Sequence, residues 1–483
     1  MIEIDSEAAI LAEQAAGVAD SGRLSRSARS WAIFEGGRDP YVIMVMALAF
    51  MPYFVTTVVG NPVRGQALTA SYAKYSGVVV ALTAPFLGAI VDKLGPRKPW
   101  LAASGVAAAI LSACLWIAKP ASGEGVITIV LWLTAILGVL VAYTDVFHNS
   151  MMPYAAKSQE QAKASGLALA LGNFVGLVMI VFLLWGFGLP GVVHSPLVPA
   201  KPLFGFDRAT GDNIRIVGPL VGGAMFLGLI PLVLYSHDAK PTGASLMQAT
   251  RAGVSDIWTM LRYMRIPLDA GLFLLGRMLY ADARLAALMF GGIYAAGVMK
   301  WGAPQLLLMG LLATICGVFG GFLAGWMDTR IGPKRALIIE IAVLAACLLA
   351  QLTISPDMIF FIPFPAAQHA VLWSAPIFNT LPQMAFLLIT MASSVVGTSV
   401  FSSSRTMLTA VAPKENIGAF FGLYALSGAA TAWLAPSLVE LATKIFHSQQ
   451  AGMLPIAGLF LAGIGLLAFV RNGAAPSKQV SQT

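Results

Sequence analysis

Ionisable side chains inside long apolar stretches are the groups in this sequence that could bind a solute or carry a proton. Asp282 and Arg284 fall near the middle of one such stretch, and Arg277 precedes them on the same run. A charged side chain at the centre of a membrane helix costs about 2.5–3.5 kcal/mol, so each needs a partner or a function. Arg277, Tyr280 and Arg284 share one helical face, whereas Asp282 points elsewhere. The planar donor fork of Arg277 or Arg284 could hold an anionic substrate group, or an Arg–Asp pair could lock two helices together.

A second polar group, Glu35, Arg38 and Asp39, lies where another apolar run begins. Glu35 shares a helical face with Arg38 or with Asp39, so the three could bind substrate or protons together. Asp39-Pro40 also resembles a helix-initiating pair, which leaves a capped, solvated helix start as the alternative.

A third group combines Asp145, His148 and Asn149 at same-face spacings in a further run. A membrane-embedded carboxyl beside a histidine can exchange protons near neutral pH, which makes Asp145 and His148 candidates for proton coupling, together with Asp282 and Asp39. The alternative is a buried, hydrogen-bonded polar cluster. Asn149 and Tyr424 are the remaining candidates for contact with substrate.

The composition indicates which elements must position these groups. Of 483 residues, 58% are hydrophobic and 11% are charged, and the mean hydropathy is +0.79. A soluble protein would carry about 25% charged residues, so this is a polytopic membrane protein. The net charge of +8 is better explained by basic loops facing anionic lipid than by nucleic-acid binding. The three cysteines lie in apolar runs without ligand spacing, and no catalytic constellation appears, so we expect no metal, no cofactor and no enzyme activity.

Twelve apolar runs reach the length of about 20 residues that a membrane-spanning helix needs. Their approximate bounds are 32–60, 70–91, 99–118, 126–152, 163–189, 216–236, 268–298, 303–327, 335–354, 380–404, 416–443 and 451–471. The predicted fold is therefore all-α, with two pseudo-symmetric bundles of six helices each.

The runs divide the chain into five predicted parts. These are a disordered N-terminus (1–30), a first bundle (31–236), a linker with an amphipathic helix (237–265), a second bundle (266–471) and a tail (472–483). Lys and Arg concentrate in the loops that lie inside when both termini are cytoplasmic, which predicts that orientation in the cell (inner) membrane of a bacterium.

An internal duplication supports the two-bundle arrangement. Residues 88–98 (GAIVDKLGPRK) are repeated as 325–335 (GWMDTRIGPKR), and residues 144–147 resemble 398–401. In each of the two duplicated loops, a carboxylate can face a helix N-terminus and two bases can bridge to acids or lipid phosphates. The loops could close the cytoplasmic side during transport, or simply anchor the topology. The residues concerned are Asp92, Arg97, Lys98, Asp328, Lys334 and Arg335.

The duplicated loop resembles the signature loop of the major facilitator superfamily, and three motifs are similar to those of its autophagy-type vacuolar effluxer family. They are residues 30–35, Tyr280-Ala-Asp282, and above all residues 413–432. This resemblance implies secondary transport, with amino-acid efflux from the vacuole as the known eukaryotic role. The chain departs from the family pattern at residues 38–40 and at Arg284, which add a guanidinium to each half.

These observations predict a monomeric secondary transporter in contact with membrane lipids. It would move a small polar, anionic or zwitterionic organic solute, such as a carboxylate or amino-acid derivative, by alternating access and with proton coupling. One alternative is a cation-coupled sugar symporter, because residues 97–100 also resemble glycoside transporters. The other is a membrane receptor that binds a ligand without moving it.

Overall fold

The computed structural model describes residues 24–263, 266–364, 371–374, 377–413 and 417–471. The predicted N-terminal segment before residue 24, the tail at 472–483 and residues 414–416 of the eleventh-helix motif lie outside these described residues.

The described chain consists of long helices in two groups of six, joined by a polar segment that holds one further helix, the linker helix, Leu246–Tyr263. The first group is α1 (Arg26–Val58), α2 (Pro62–Leu94), α3 (Lys98–Cys114), α4 (Glu124–Ala155), α5 (Gln161–Leu183) and α6 (Val217–Tyr235). The second is α7 (Leu268–Gly297), α8 (Ala303–Ile331), α9 (Pro333–Leu352), α10 (Leu381–Val411), α11 in two parts (Ile417–Ala430 and Leu434–Phe446) and α12 (Gln449–Phe469). A short hairpin of β1 (Met358–Ile359) and β2 (Ile362–Pro363) lies between α9 and α10.

Ten of the described helical segments are long and apolar enough to cross a membrane. The two remaining members of the bundles, α7 and α11, depart from simple apolar helices for visible reasons. α7 carries four charged residues, Asp269, Arg277, Asp282 and Arg284, and α11 is interrupted after Ala430. Both helices carry predicted site residues, and functional sites commonly depart from the residue patterns of regular elements.

Two helices begin six and eight residues earlier than their apolar runs predict. α1 starts at Arg26 because Ser25 caps it: the Ser25 side chain accepts a hydrogen bond from the backbone N–H of Ala28. α2 starts at Pro62, where Asn61 accepts from the N–H of Arg64 and proline occupies the first helical turn. Capping residues and an N-terminal proline extend a helix beyond its apolar part.

The interpretation of Asp39-Pro40 as a helix start is wrong. The helical segment begins at Arg26 and continues through Asp39 and Pro40, both in right-handed helical conformation, and its backbone widens to π-helix over Tyr41–Leu48, directly after Pro40. A proline inside a helix removes one N–H donor and crowds the preceding turn, and a π-helical stretch accommodates that disturbance. Asp39 therefore lies within α1, in a position to join a buried site.

The two halves contact each other at the end of the bundle away from the duplicated loops, which we call the far end; the end that carries those loops is the loop end. Near the start of α2, the Gln66 amide donates to Thr443 Oγ1 (3.0 Å) and accepts from the Gln449 amide (3.1 Å). Lys74 Nζ lies 2.6 Å from Glu440 Oε2. Gly292 packs so closely on the Ala47 carbonyl that a Cβ there would overlap it.

Candidate functional site

Arg38 is the centre of a polar network that joins α1 to α4. Its Nη1 lies 2.6 Å from Asp145 Oδ1, and its Nη2 lies 2.5 Å from Glu35 Oε1. Asp39 Oδ1 is 3.7 Å from the same Nη2. The Arg38 side chain is 8% exposed, so its charge is compensated by neighbouring carboxylates and not by bulk water. Pairing of this kind offsets the cost of burying a guanidinium group.

His148 and Asn149 extend this network on α4. His148 Nε2 lies 2.8 Å from the Trp31 carbonyl oxygen, and the Trp31 indole N–H donates to the His148 carbonyl (2.8 Å). The two rings stack with centroids 4.3 Å apart. His148 Nδ1 lies 3.2 Å from Glu35 Oε2 without the alignment of a hydrogen bond. The Asn149 amide donates to Asp145 Oδ1 (3.0 Å), so the predicted groups of α1 and α4 form one site.

A cavity of about 380 Å³ lies between the two halves, beside this network. Its volume is within the range of about 300–1,000 Å³ that is typical of small-ligand sites. The ionisable residues that line it are Arg38, Asp39, Asp145 and Tyr41; hydroxyl groups come from Thr69, Ser76 and Thr134; and Leu285, Met289, Ala432 and Pro436 close it from the second half. The Asp145 and Asp39 side chains are 53% and 31% exposed. The cavity therefore presents carboxylate oxygens and one edge of a buried guanidinium.

In the second half, Arg277 packs on the first part of α11. Its guanidinium lies 3.4 Å from the centroid of the Tyr424 ring, and its Nη1 donates to Ser427 Oγ (2.7 Å). A Cβ at Gly428 would lie 3.1 Å from Nη1, so this glycine leaves the space that the guanidinium fills. The small residues of the α11 motif thus accommodate an arginine of α7.

Tyr280 and Asp282 contact different elements, as their spacing predicts. The Tyr280 hydroxyl lies 2.6 Å from Ser404 Oγ, which also accepts from the Tyr424 hydroxyl (3.0 Å). Asp282 Oδ2 accepts from the backbone N–H of Ala435, at the start of the second part of α11 (2.8 Å). A carboxylate at a helix N-terminus is favoured by the helix dipole. The alternative of an Arg–Asp pair is wrong for Asp282, because its partner is a backbone amide.

Arg284 lies beside Phe401, with its guanidinium 5.4 Å from the ring centroid. It is not among the residues that line the cavity, and neither are Arg277, Tyr280, Asp282 and Tyr424. The structure therefore brings together the predicted site residues of α1 and α4, and places those of α7 and α11 in a separate packing layer of the second half.

The first duplicated loop is fixed within its own half. Asp92 Oδ1 lies 2.5 Å from Arg97 Nη2, and the backbone N–H groups of Arg97 and Lys98 both donate to Asp238 Oδ2 (2.7 Å each). The Lys98 side chain donates to the Val233 carbonyl (3.0 Å). These contacts connect the start of α3 to the segment that follows α6.

The second duplicated loop has different partners. Lys334 Nζ donates to the carbonyls of Ala468 (3.0 Å) and Val470 at the end of α12, and Arg335 is exposed. Asp328 precedes the loop glycine by four positions, whereas Asp92 precedes its glycine by three. This shift of one residue turns Asp328 inward, where its Oδ1 is buried and accepts no hydrogen bond from the described residues.

We expect Asp238→Ala to lower the free energy of unfolding by about 1 kcal/mol, because it removes the acceptor for two N–H groups at a helix start. Thermal melting of the purified protein measures the effect. Asp207→Ala, in the loop before α6, is the matched control, since within the described part of the chain the Asp207 carboxylate accepts only from Ala209, two residues along its own loop (2.9 Å). Equal melting of both variants would contradict the capping role of Asp238.

Sequence reasoning missed the polar contacts between the halves and one buried acid. The residues are Gln66, Lys74, Glu340, Glu440, Thr443 and Gln449. The signal for the two glutamates was present: each is a carboxylate within an apolar run, which is the criterion that identified Asp145 and Asp282.

Two six-helix groups around a central cavity are the architecture of the major facilitator fold, and solved structures share it. A mutant form of the nucleoside transporter NupG is similar with a TM-score of 0.61 and 12% identity, over 92% of this chain and 99% of that chain. A D-xylose-proton symporter gives 0.58 and 14%, over 93% and 98%. A bacterial homologue of the iron transporter ferroportin, in the inward-facing state, gives 0.58 and 12%, over 92% and 97%. The likeness confirms the predicted twelve-helix fold.

The particular family follows from the sequence. The family described as "Vacuole effluxer Atg22 like" matches residues 154–478, and the chain belongs to this family. The resemblance inferred from the three motifs is thereby confirmed. A curated relative from Thermoproteus tenax, "Uncharacterized 38 kDa protein in 23S RNA operon", is 25% identical over 380 residues, which are 78% of this chain and 84% of the relative.

Proposed function

We propose that this protein is a secondary transporter of a small zwitterionic, amino-acid-like solute, which binds between the two halves and crosses the membrane by alternating access. The observation that carries the proposal is the cavity at the interface of the halves, lined by Arg38, Asp39 and Asp145. In transporters built from repeats, the substrate site lies at this interface, near the middle of the membrane.

The charges of the cavity favour a zwitterion over a simple anion. Asp39 and Asp145 expose carboxylate oxygens that can accept hydrogen bonds from an ammonium group. Arg38 uses one nitrogen for Asp145 and one for Glu35, and a guanidinium has five N–H donors, so donors remain for a solute carboxylate. A bare anion would meet three carboxylates around one guanidinium, which is an unfavourable local field.

Contacts between the halves support the alternating-access mechanism. Those of Gln66, Lys74 and Glu440 join the halves at the far end, whereas the duplicated loops hold partners within their own halves. This pattern fits a state that is open toward the loop end. We assign to Asp92, Arg97, Lys98, Asp328, Lys334 and Arg335 the closing of that end when the far end opens, with the loop end and both termini in the cytoplasm of a bacterial cell. Proton coupling through Asp145, His148, Asp39 and Asp282 belongs to the same proposal.

Counterflow of labelled amino acids into proteoliposomes tests the function. We expect unlabelled amino acid inside the vesicles to drive transient uptake of the labelled one, whereas xylose and melibiose do not exchange. Exchange of a sugar would favour the symporter alternative. Binding without exchange, detected as a higher melting temperature, would indicate a receptor, because a ligand stabilises a protein whether or not it is moved.

Asp39→Asn is expected to weaken binding of the exchanged amino acid about tenfold, which corresponds to about 1.4 kcal/mol. The reason is that an amide accepts from the ammonium group without compensating its charge. Ligand-induced thermal stabilisation measures the change, and Asp357→Asn, in the loop before β1, serves as the control variant outside the cavity. An unchanged affinity in Asp39→Asn would remove Asp39 from the binding site.

A further inference from the structure

Glu340 is a carboxyl group buried inside the second half. The residue lies on α9, seven positions after the loop-end start of that helix at Pro333, and is 1% exposed. Its Oε1 accepts from the hydroxyl groups of Ser403 (3.0 Å) and Ser399, both on α10. Its Oε2 is buried and accepts no hydrogen bond from any described group. One oxygen is thus fully hydrogen-bonded and the other faces no donor.

No cation of the neighbouring helices compensates a charge on Glu340. α9 packs against α8, α10 and α12. On α10, Arg405 is exposed and lies over the Phe401 ring (4.4 Å). On α8, Arg330 is exposed beside Trp326, and Asp328 is an acid. α12 has no charged residue. On α9 itself, Lys334 binds carbonyls at the end of α12 and Arg335 is exposed.

An ionised Glu340 would therefore be an uncompensated charge inside the bundle. Among the described residues, no salt bridge includes Glu340, whereas Glu35, Asp145 and Glu440 each have a basic partner within 3 Å. Buried groups in this situation take up a proton and become neutral. A carboxylic acid at Oε2, with Oε1 accepting from two serines, is the arrangement that the contacts describe.

The duplication shows that this acid is specific to the second half. Matching residues 144–147 to 398–401 places Ser399 at the position of Asp145, and Ser403 at the position of Asn149. Matching the two loop glycines places Glu340 at the position of Ala103. At these matched positions the first half therefore carries a carboxylate on α4, paired with Arg38, and the second half carries one on α9 without a cation.

We propose that Glu340 is a proton-binding site of the second half, loaded and emptied from the loop end, and that the transporter proposed above requires this site for proton coupling in addition to Asp145, His148, Asp39 and Asp282. A proton from water adds to Oε2 as an O–H bond forms, and the carboxyl becomes neutral; release restores the carboxylate, which the two serine hydroxyls stabilise. Asp328 lies toward the loop end, and its buried Oδ1 also accepts no hydrogen bond from the described residues. It is the next acceptor on the route to water.

Infrared difference spectroscopy of the purified full-length protein tests the site without any solute. We expect a C=O band of a protonated carboxylic acid in the wild type that Glu340→Gln removes and Glu124→Gln leaves in place. Glu124 is the control because its side chain is 68% exposed and paired with Arg64. Glutamine keeps the shape of glutamate and accepts from the same serines, and a melting curve verifies that Glu340→Gln is folded.

Two further measurements test whether the band belongs to a proton bound at Glu340. Ser399→Ala and Ser403→Ala are expected to shift the frequency of the band, because each removes one hydrogen bond from the same carboxyl. Replacing choline chloride by sodium chloride at constant pH is expected to leave it unchanged. A band that survives in Glu340→Gln overturns the proposal, and so does a band that sodium ions remove, since the site would then bind a metal cation.

Transport separates this inference from the proposed function. The amino acid that exchanges is supplied to proteoliposomes, and its accumulation under a pH gradient is measured. We expect accumulation by the Glu340→Gln variant to fall to the level measured without a gradient. Accumulation by the Glu124→Gln variant should persist. Full gradient-driven accumulation in Glu340→Gln contradicts the coupling role. Failure of every amino acid to exchange in the wild type contradicts the proposed function instead, and the infrared band still decides whether Glu340 binds a proton.

Discussion

Arg38→Gln is expected to lower the free energy of unfolding by about 2–3 kcal/mol and to abolish exchange of solute. Removing one partner of a fully buried ion pair costs about 3–5 kcal/mol, and we place this variant lower because Asp145 is half exposed to the cavity. The variant leaves Glu35, Asp39 and Asp145 together without their guanidinium, so their mutual repulsion opposes the packing of α1 on α4.

Arg64→Gln is the matched control for this experiment. It breaks an arginine–carboxylate contact of the same length, 2.5 Å between Arg64 Nη2 and Glu124 Oε2, but both side chains are exposed. A surface pair contributes about 0–1 kcal/mol, so we expect only a small change in melting temperature. Equal melting of the Arg38 and Arg64 variants would contradict the role of Arg38 as the centre of the network.

A double variant separates stability from binding. Arg38→Gln combined with Asp145→Asn removes the positive charge together with one of the carboxylates that it compensates. We expect it to regain part of the lost stability, since fewer like charges remain, but not to regain counterflow, since the cavity has lost two of the three charged groups proposed to contact solute. Recovery of counterflow in the double variant would place the substrate contacts elsewhere.

Glu440→Gln is expected to favour the state in which the far end is open. The Lys74–Glu440 pair joins the two halves, and its side chains are 28% and 10% exposed. We expect its loss to shift the balance of the two states by about 1–2 kcal/mol, or about 5–30-fold. A transporter whose states differ by only a few kcal/mol responds to such a change with a visible redistribution of populations.

Distances between spin labels at Ser122 and His447, in a background without the native cysteines, measure this redistribution. Both positions are in loops at the far end, one on each half. Lys444→Gln is the control, because Lys444 contacts the same carboxylate (2.5 Å) from within α11 and does not join the halves. The exchanged pair Lys74→Glu with Glu440→Lys should restore the short distance. Unchanged distances in Glu440→Gln would show that the other far-end contacts suffice.

The sequence was enough to predict the helices and their grouping, because each span must supply about 20 apolar residues and the loops repeat. It was not enough to predict where α1 and α2 begin, since Ser25 and Asn61 extend these helices by capping and not by hydrophobicity. Helical spacing relates residues of one helix only. The contact between Arg38 and Asp145 spans 107 positions of the chain, and only the packed structure brings the two side chains together.

The predicted site residues of α7 do not line the cavity, and the partners of its two arginines explain why the sequence did not predict this. An arginine in an apolar run needs a partner, but neither the type of partner nor its place follows from that requirement. Arg277 is satisfied by a tyrosine ring and a serine, and Arg284 lies beside a phenylalanine ring. Both arginines contact uncharged groups, which a search of the sequence for charged residues does not detect. Charge alone therefore made α7 as strong a candidate for substrate contact as α1, whereas the ionisable residues that line the cavity belong to α1 and α4.

The interruption of α11 separates two sets of contacts. A Cβ on Gly77 of α2 would lie 2.6 Å from the Ala432 carbonyl, so the interruption itself rests directly on the first half. Beyond it, Leu434–Phe446 is tied to α2 through Glu440 and Thr443, whereas Ile417–Ala430 is tied to α7 through Tyr424 and Ser427. Asp282 of α7 also holds the start of the outer piece, at the N–H of Ala435. An opening of the far end must therefore break the contacts of Leu434–Phe446 to α2, while α7 keeps both pieces of α11 in the second half.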